Sequence, residues 1–128
     1  MVRKTFYLEA SARTADLLDV KRALRAAGRA IGSTWHDQAA TSCPPDANAD
    51  WIAGRLEELN HCDALIVLCG AKYRTPLQIP LLAGHALARG LQVIWIGSSV
   101  RVASDRRNVA QFETVEEFCE SLAVRRAA

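Results

Sequence analysis

Two side chains able to do chemistry stand two residues apart in the first apolar segment, Tyr7 and Glu9. Residues i and i+2 of a strand share a face. A phenol and a carboxylate side by side at a strand exit can hold a sugar hydroxyl or offset a developing cation. The same pair also fits a core-edge tyrosine beside a solvated glutamate. Trp35, His36 and Asp37 follow one another as an indole, an imidazole and a carboxylate, and Trp35 has the face to stack a base. Lys72 and Arg74, with Gly70 before them, can receive a phosphate ahead of a helix, or stand solvated in a loop. His85 serves as an acid–base group or as a helix-face histidine, and Ser11 ends the first strand. No serine stands in a GxSxG elbow, so the pattern supports no nucleophilic triad.

The four cysteines, Cys43, Cys62, Cys69 and Cys119, form no CxxC pair and read as reduced, mostly buried thiols. His61, Cys62 and Cys69 fit no common zinc spacing, so neither a metal nor another cofactor is expected.

These residues need elements to position them. Residues 5–10 predict a strand, and Leu17, Val20 and Leu24 recur at helical spacing with Lys21, Arg22 and Arg25 opposite, before a stop at Gly28. Residues 30–35 predict a weaker strand broken by Gly32, and 36–48 a long loop with Pro44 and Pro45. Trp51, Ile52, Leu56 and Leu59 give a helix capped by Asn48 or Asp50. Residues 64–69 are a continuous apolar run, as a strand buried on both faces requires. A loop over 70–80 leads to a helix over 81–89, stopped by Gly90, and a buried strand over 91–96. Residues 109–112 give a last short strand, and Thr114 with Glu117 makes a capping box for a helix through residue 123. The alternation predicts a single α/β domain over residues 1–128. This is a flavodoxin-like (Rossmann-like) three-layer sandwich with a parallel sheet in order 2-1-3-4-5. Ligands of such sheets bind beyond the carboxyl ends of strands one and three, where the winding reverses. Tyr7, Glu9, Ser11, Gly70, Lys72 and Arg74 are delivered there, with Trp35, His36 and Asp37 beside them.

Composition narrows the partners. The 128 residues are 50% hydrophobic and carry a net charge of +2, which excludes a disordered chain and gives no footprint for a nucleic-acid polymer. No apolar run reaches the roughly 18 residues of a membrane span, and Glu9 interrupts the amino-terminal apolar stretch, so no signal peptide is expected. The expectation is a cytoplasmic protein without membrane contact.

Several segments together resemble nucleoside 2-deoxyribosyltransferase-like proteins, in their short bacterial and phage type. They are Lys4-Thr-Phe-Tyr-Leu-Glu-Ala-Ser, Leu24-Arg-Ala-Ala-Gly, Ser33-Thr-Trp-His, Leu59-Asn-His-Cys-Asp-Ala-Leu-Ile-Val, Gly84-His-Ala-Leu-Ala-Arg-Gly-Leu-Gln-Val and Val109-Ala-Gln-Phe-Glu-Thr-Val-Glu-Glu-Phe. The resemblance implies a flavodoxin-like fold and cleavage of the N-glycosidic bond of a nucleoside or nucleotide. It also implies a glutamate that attacks the anomeric carbon and an aspartate that assists at the base. Tyr7 and Asp63 fall on matching positions. The glutamate position is Leu82 and the assisting aspartate is Arg55, so the resemblance implies that the usual covalent mechanism is lost.

Three readings follow. One is a protein that binds a nucleoside or nucleotide without turnover. Another is an N-glycosidic hydrolase or transferase, acting on a nucleoside or its 5′-monophosphate, that uses Glu9 as its carboxylate beside Tyr7. The third is a homo-oligomeric interaction module without a small ligand. A homodimer is expected under all three, because the stretch over residues 77–88 is more apolar than a helix with one solvent face requires.

Overall fold

The computed structural model describes residues 4–10, 15–38, 49–68, 78–97 and 108–127. Five strands, β1 (Thr5–Ala10), β2 (Ala30–Ile31), β3 (Ala64–Leu68), β4 (Gln92–Ile96) and β5 (Val109–Phe112), form one sheet in the order β2-β1-β3-β4-β5. Every neighbouring pair is parallel, as the sequence predicts. The central strands β1 and β3 are buried along nearly their whole length, which explains their unbroken apolar runs.

Register settles which side chains share a face. Tyr7, Leu65, Val93 and Val109 form one row across the sheet, and Glu9, Val67, Trp95 and Gln111 form the next row on that face. Helices α3 (Ala49–Asn60) and α4 (Gln78–Ala88) cover it. Helices α1 (Ala15–Ala26) and α5 (Val115–Ala127) cover the other face, where Phe118 meets Phe112 edge-on, ring centroids 5.5 Å apart.

The predicted helix stops hold in detail. Gly28 and Gly90 both have φ +75°, the left-handed conformation that a side chain resists. At the first, the Arg29 N–H reaches Leu24 O and the Gly28 N–H reaches Arg25 O; Leu91 and Gly90 repeat the pattern after α4. At the start of α5 the Glu117 N–H donates to Thr114 Oγ1, while the Glu117 carboxylate accepts from the Glu113 N–H. That is the predicted capping box, with its return bond one residue further upstream.

Four boundaries differ from the sequence reading by more than one residue. The second strand is two residues, not six. After the Gly32 N–H bonds Phe6 O, the Ser33 hydroxyl accepts the Leu8 N–H in place of a backbone partner, and the chain leaves the ladder. The loop expected over 36–48 instead opens with a helical turn, α2 (Trp35–Gln38); residues 39–48 lie outside the described residues. Helix α4 begins at Gln78 rather than Leu81, since Pro80 in its first turn gives up only an N–H that has no helical partner there. Helix α5 runs on to Ala127.

Candidate functional site

The site is built on the carboxyl end of β1. Glu9 is fully buried on the α3/α4 face, one row beyond Tyr7. Helix α3 turns Trp51, Arg55 and Leu59 inward at spacings of four, and the middle residue of that stripe is a buried arginine, 6% exposed. The Arg55 Nη2 donates to Glu9 Oε2, and its Nε donates to the Tyr7 hydroxyl oxygen. From α4, Gln78 Nε2 reaches Glu9 Oε1 at 3.3 Å. The guanidinium carbon lies 5.0 Å from the centre of the Trp51 ring system and 5.3 Å from those of Trp35 and Tyr7. Three aromatic rings and one carboxylate thus enclose a planar cation.

The electrostatics follow. Burial raises the Tyr7 phenol well above its ordinary range; Arg55 opposes the shift and Glu9 adds to it. Tyr7 is therefore a neutral phenol at any physiological pH. A buried carboxylate is tolerable only when paired and hydrogen-bonded, and Arg55 with Gln78 meets both requirements for Glu9.

Trp35, His36 and Asp37 lie beside this cluster, with the first two facing inward. Trp35 Nε1 donates to Leu8 O at 2.8 Å, pinning the indole to β1. The His36 ring, 1% exposed, sits 2.8 Å through Nε2 from Ser33 Oγ and edge-on to Trp35. Its Nδ1 is 3.5 Å from Asp37 Oδ1. Burial, with help from Lys21, pushes its basicity below the ordinary histidine value. Asp37 bonds Lys21 Nζ at 2.9 Å, and that bond above all holds the Asp37 carboxyl low. Lys21 is thus buried, whereas the sequence pattern sets it on the outer face of α1 with Arg22 and Arg25; its hydrocarbon stem packs inward while the ammonium reaches Asp37.

Other expected residues stand elsewhere. His85 bonds Asn60 Oδ1 at 2.7 Å, two helical turns along α4 from Gln78, and so joins the far ends of α3 and α4. Asp63, one of the residues matching the resemblance, clamps β1 to β3: its carboxylate accepts the Thr5 N–H and its own N–H donates to Thr5 O. Leu82 is buried on the face of α4 that carries Gln78. Glu58 accepts both the N–H and the hydroxyl of Thr34 ahead of α2. Ser11, Gly70, Lys72 and Arg74 lie outside the described residues, as do Cys43 and Cys69. Cys62 is a free buried thiol pushed up to about 11, chiefly by burial. Among the described residues no three His, Cys, Asp or Glu side chains gather to hold a metal, and no helix is long and apolar enough to cross a membrane.

Sequence reasoning overlooked Gln78 altogether and met Arg55 only as a departure from the resemblance. The available signal for Arg55 was its place in the Trp51-Arg55-Leu59 stripe, an inward row at spacings of four between a half-buried indole and a buried leucine.

No protein-family model matches the sequence, and no curated protein matches it. Solved structures do. A conserved protein from Enterococcus faecalis V583 superposes with a TM-score of 0.68 at 13% identity, covering 97% of this chain and 99% of that one. A response regulator receiver domain protein from Bacillus halodurans gives 0.62 at 13%, covering 96% and 97%. A 2-deoxyribosyltransferase from Bacillus psychrosaccharolyticus gives 0.58 at 16%, covering 92% and 95%. At these identities the likeness is one of fold, and it spans the chain from end to end.

Proposed function

We propose that this protein binds a nucleoside or nucleotide in the crevice beyond β1 and β3, and does not turn it over by the covalent route of 2-deoxyribosyltransferases. The carrying observation is the state of Glu9, whose two carboxylate oxygens are engaged by Gln78 and by Arg55, itself set among aromatic rings. An attacking carboxylate must present a free oxygen to an anomeric carbon; this one is held in a neutral pair. Arg55 and Leu82 stand where the resemblance implies an assisting aspartate and a nucleophilic glutamate, so the scaffold is kept while the acids are replaced. The aromatic rings suit the flat face of a base. The superposition on a 2-deoxyribosyltransferase supports a nucleoside-related ligand. The apolar, Ala-rich α4, with Leu81 exposed, fits a homodimer under this reading.

The test is incubation with nucleosides and their 5′-monophosphates, followed by chromatography for free base and by thermal shift. The proposal expects a ligand-specific rise in Tm without base release. Base release that persists in Glu9→Gln removes Glu9 from any mechanism, whereas release that Glu9→Gln abolishes establishes the enzyme reading. Tm unchanged by every compound rejects nucleoside binding. Trp51, only half-buried, is the residue to truncate for affinity; Trp35→Ala would remove a buried indole and its bond to Leu8 O, and would report on folding instead.

A further inference from the structure

Arg55 occupies its aromatic enclosure as a ligand would. It offers one edge of a planar CN3 group, with Nε–H directed at the Tyr7 oxygen and Nη2–H at Glu9. Indole and phenol rings surround that group, their centres 5.0–5.3 Å from its central carbon. The receiving edge consists of a carboxylate, which accepts only, and a phenol oxygen that accepts here. As it stands against Arg55, this edge receives a pair of parallel N–H donors on one flat group. Among the common nucleobases in their neutral forms, only guanine presents such a pair, N1–H beside the N2 amino group, in the same N–C–N arrangement as Nε–Cζ–Nη2. Hypoxanthine keeps N1–H and lacks the amino group; adenine and cytosine have an acceptor beside theirs.

Resting on the nucleoside-binding reading, we infer that the Tyr7–Glu9 edge reads guanine, and that Arg55 is an internal stand-in which the base displaces. Guanine brings the N–H donors that Arg55 withdraws, and its binding must outweigh the separation of the Glu9 charge from the guanidinium. The guanidinium, on a long flexible stem from the middle of α3, moves out toward water. Leaving a buried donor or acceptor unmet costs more than a single bond contributes, so a base without the amino group leaves Glu9 Oε2 short of a donor, and one with a ring acceptor in place of N1–H binds only if the Tyr7 hydroxyl leaves its present orientation and donates.

The experiment is titration of the unmodified chain with guanosine, inosine and 2-aminopurine riboside, followed by intrinsic tryptophan fluorescence and calorimetry. Guanosine carries both donors, inosine only N1–H, and 2-aminopurine riboside only the amino group. Guanosine 5′-monophosphate runs in parallel to separate the free nucleoside from the nucleotide. The expected result is that one or both guanine compounds bind at least tenfold more tightly than either single-donor analogue. Arg55→Ala should bind guanosine more tightly still, because the competitor is gone, and free guanidinium should compete with guanosine in that variant. Equal affinity for guanosine, inosine and 2-aminopurine riboside overturns this inference while nucleoside binding stands. Binding of none of the probes, or of any other nucleoside, overturns the reading beneath it. If Arg55→Ala does not fold, the ranking on the unmodified chain decides alone.

Discussion

Replacing Arg55 by methionine should be among the most damaging single changes in the molecule, and the structure gives its size. Methionine roughly preserves the length of the side chain and its packing against Trp51, Trp35 and Tyr7. It removes the charge that neutralises Glu9. A surface ion pair would lose about 0–1 kcal/mol. Here the carboxylate is fully buried and the guanidinium side chain is 7% exposed, so the loss falls in the range of about 3–5 kcal/mol for breaking one side of a buried pair. Unfolding entropies of about 2.1 cal/mol/K per residue turn that into a fall in Tm of about 11–19 °C for a chain of this length. The matching double variant, Arg55→Met with Glu9→Gln, keeps the shape and removes both charges. It should regain at least about 2 kcal/mol, since neutral replacements of buried pairs are commonly tolerated. Urea unfolding of the four proteins of the cycle, read for midpoint and slope, measures this directly. A loss below about 1 kcal/mol in Arg55→Met, or additivity in the double variant, would show that the pair is solvated and that Glu9 is not a buried carboxylate neutralised by Arg55.

Two further perturbations address the corner beside the site. His36 titrates below its ordinary value in the fold, so the unfolded chain binds its proton first and stability must fall as pH drops below about 6.5; His36→Gln should flatten the Tm profile just below about pH 6.5, and an unchanged slope would place the titration elsewhere. A methyl group at Gly32 would stand 2.6 Å from Cys62 Sγ and 3.0 Å from Thr5 Cγ2. Gly32→Ala should therefore cost about 1–3 kcal/mol by overpacking, with partial recovery on adding Cys62→Ala, both read by urea unfolding.

What was legible in the sequence was whatever depends on local pattern. The unbroken run Ala-Leu-Ile-Val-Leu gives β3, and Gly28 and Gly90 give the ends of α1 and α4, because a left-handed turn after a helix has few other residues to use. The pairing of Tyr7 with Glu9 on one face follows from period two alone. Lys21 and Arg55 escaped because periodicity counts a cation as a solvent-facing residue. Their burial is decided by acids far along the chain: Asp37 is 16 positions from Lys21, and Glu9 is 46 from Arg55. Nor could the strand pattern over residues 30–35 reveal that the Ser33 hydroxyl takes over the Leu8 N–H and ends β2 early. Each miss is a side chain satisfying a polar group on another element, which no window of neighbouring residues contains.

The two uses considered for Glu9 exclude each other, and this gives a last prediction. A carboxylate that reads guanine lies against N1 and the amino group, on the six-membered ring. The glycosidic bond leaves from the five-membered ring, on the opposite side of the purine. In that complex the anomeric carbon points away from Glu9, and Leu82, buried on α4, supplies no carboxylate in its stead. A nucleoside held by its base edge at Tyr7 and Glu9 is therefore held in an orientation that Glu9 cannot attack. Guanosine should bind and survive prolonged incubation intact, as measured by chromatography at saturating protein. Release of guanine that disappears in Glu9→Gln while binding persists would mean that Glu9 faces the sugar, and the base-reading assignment would have to be given up.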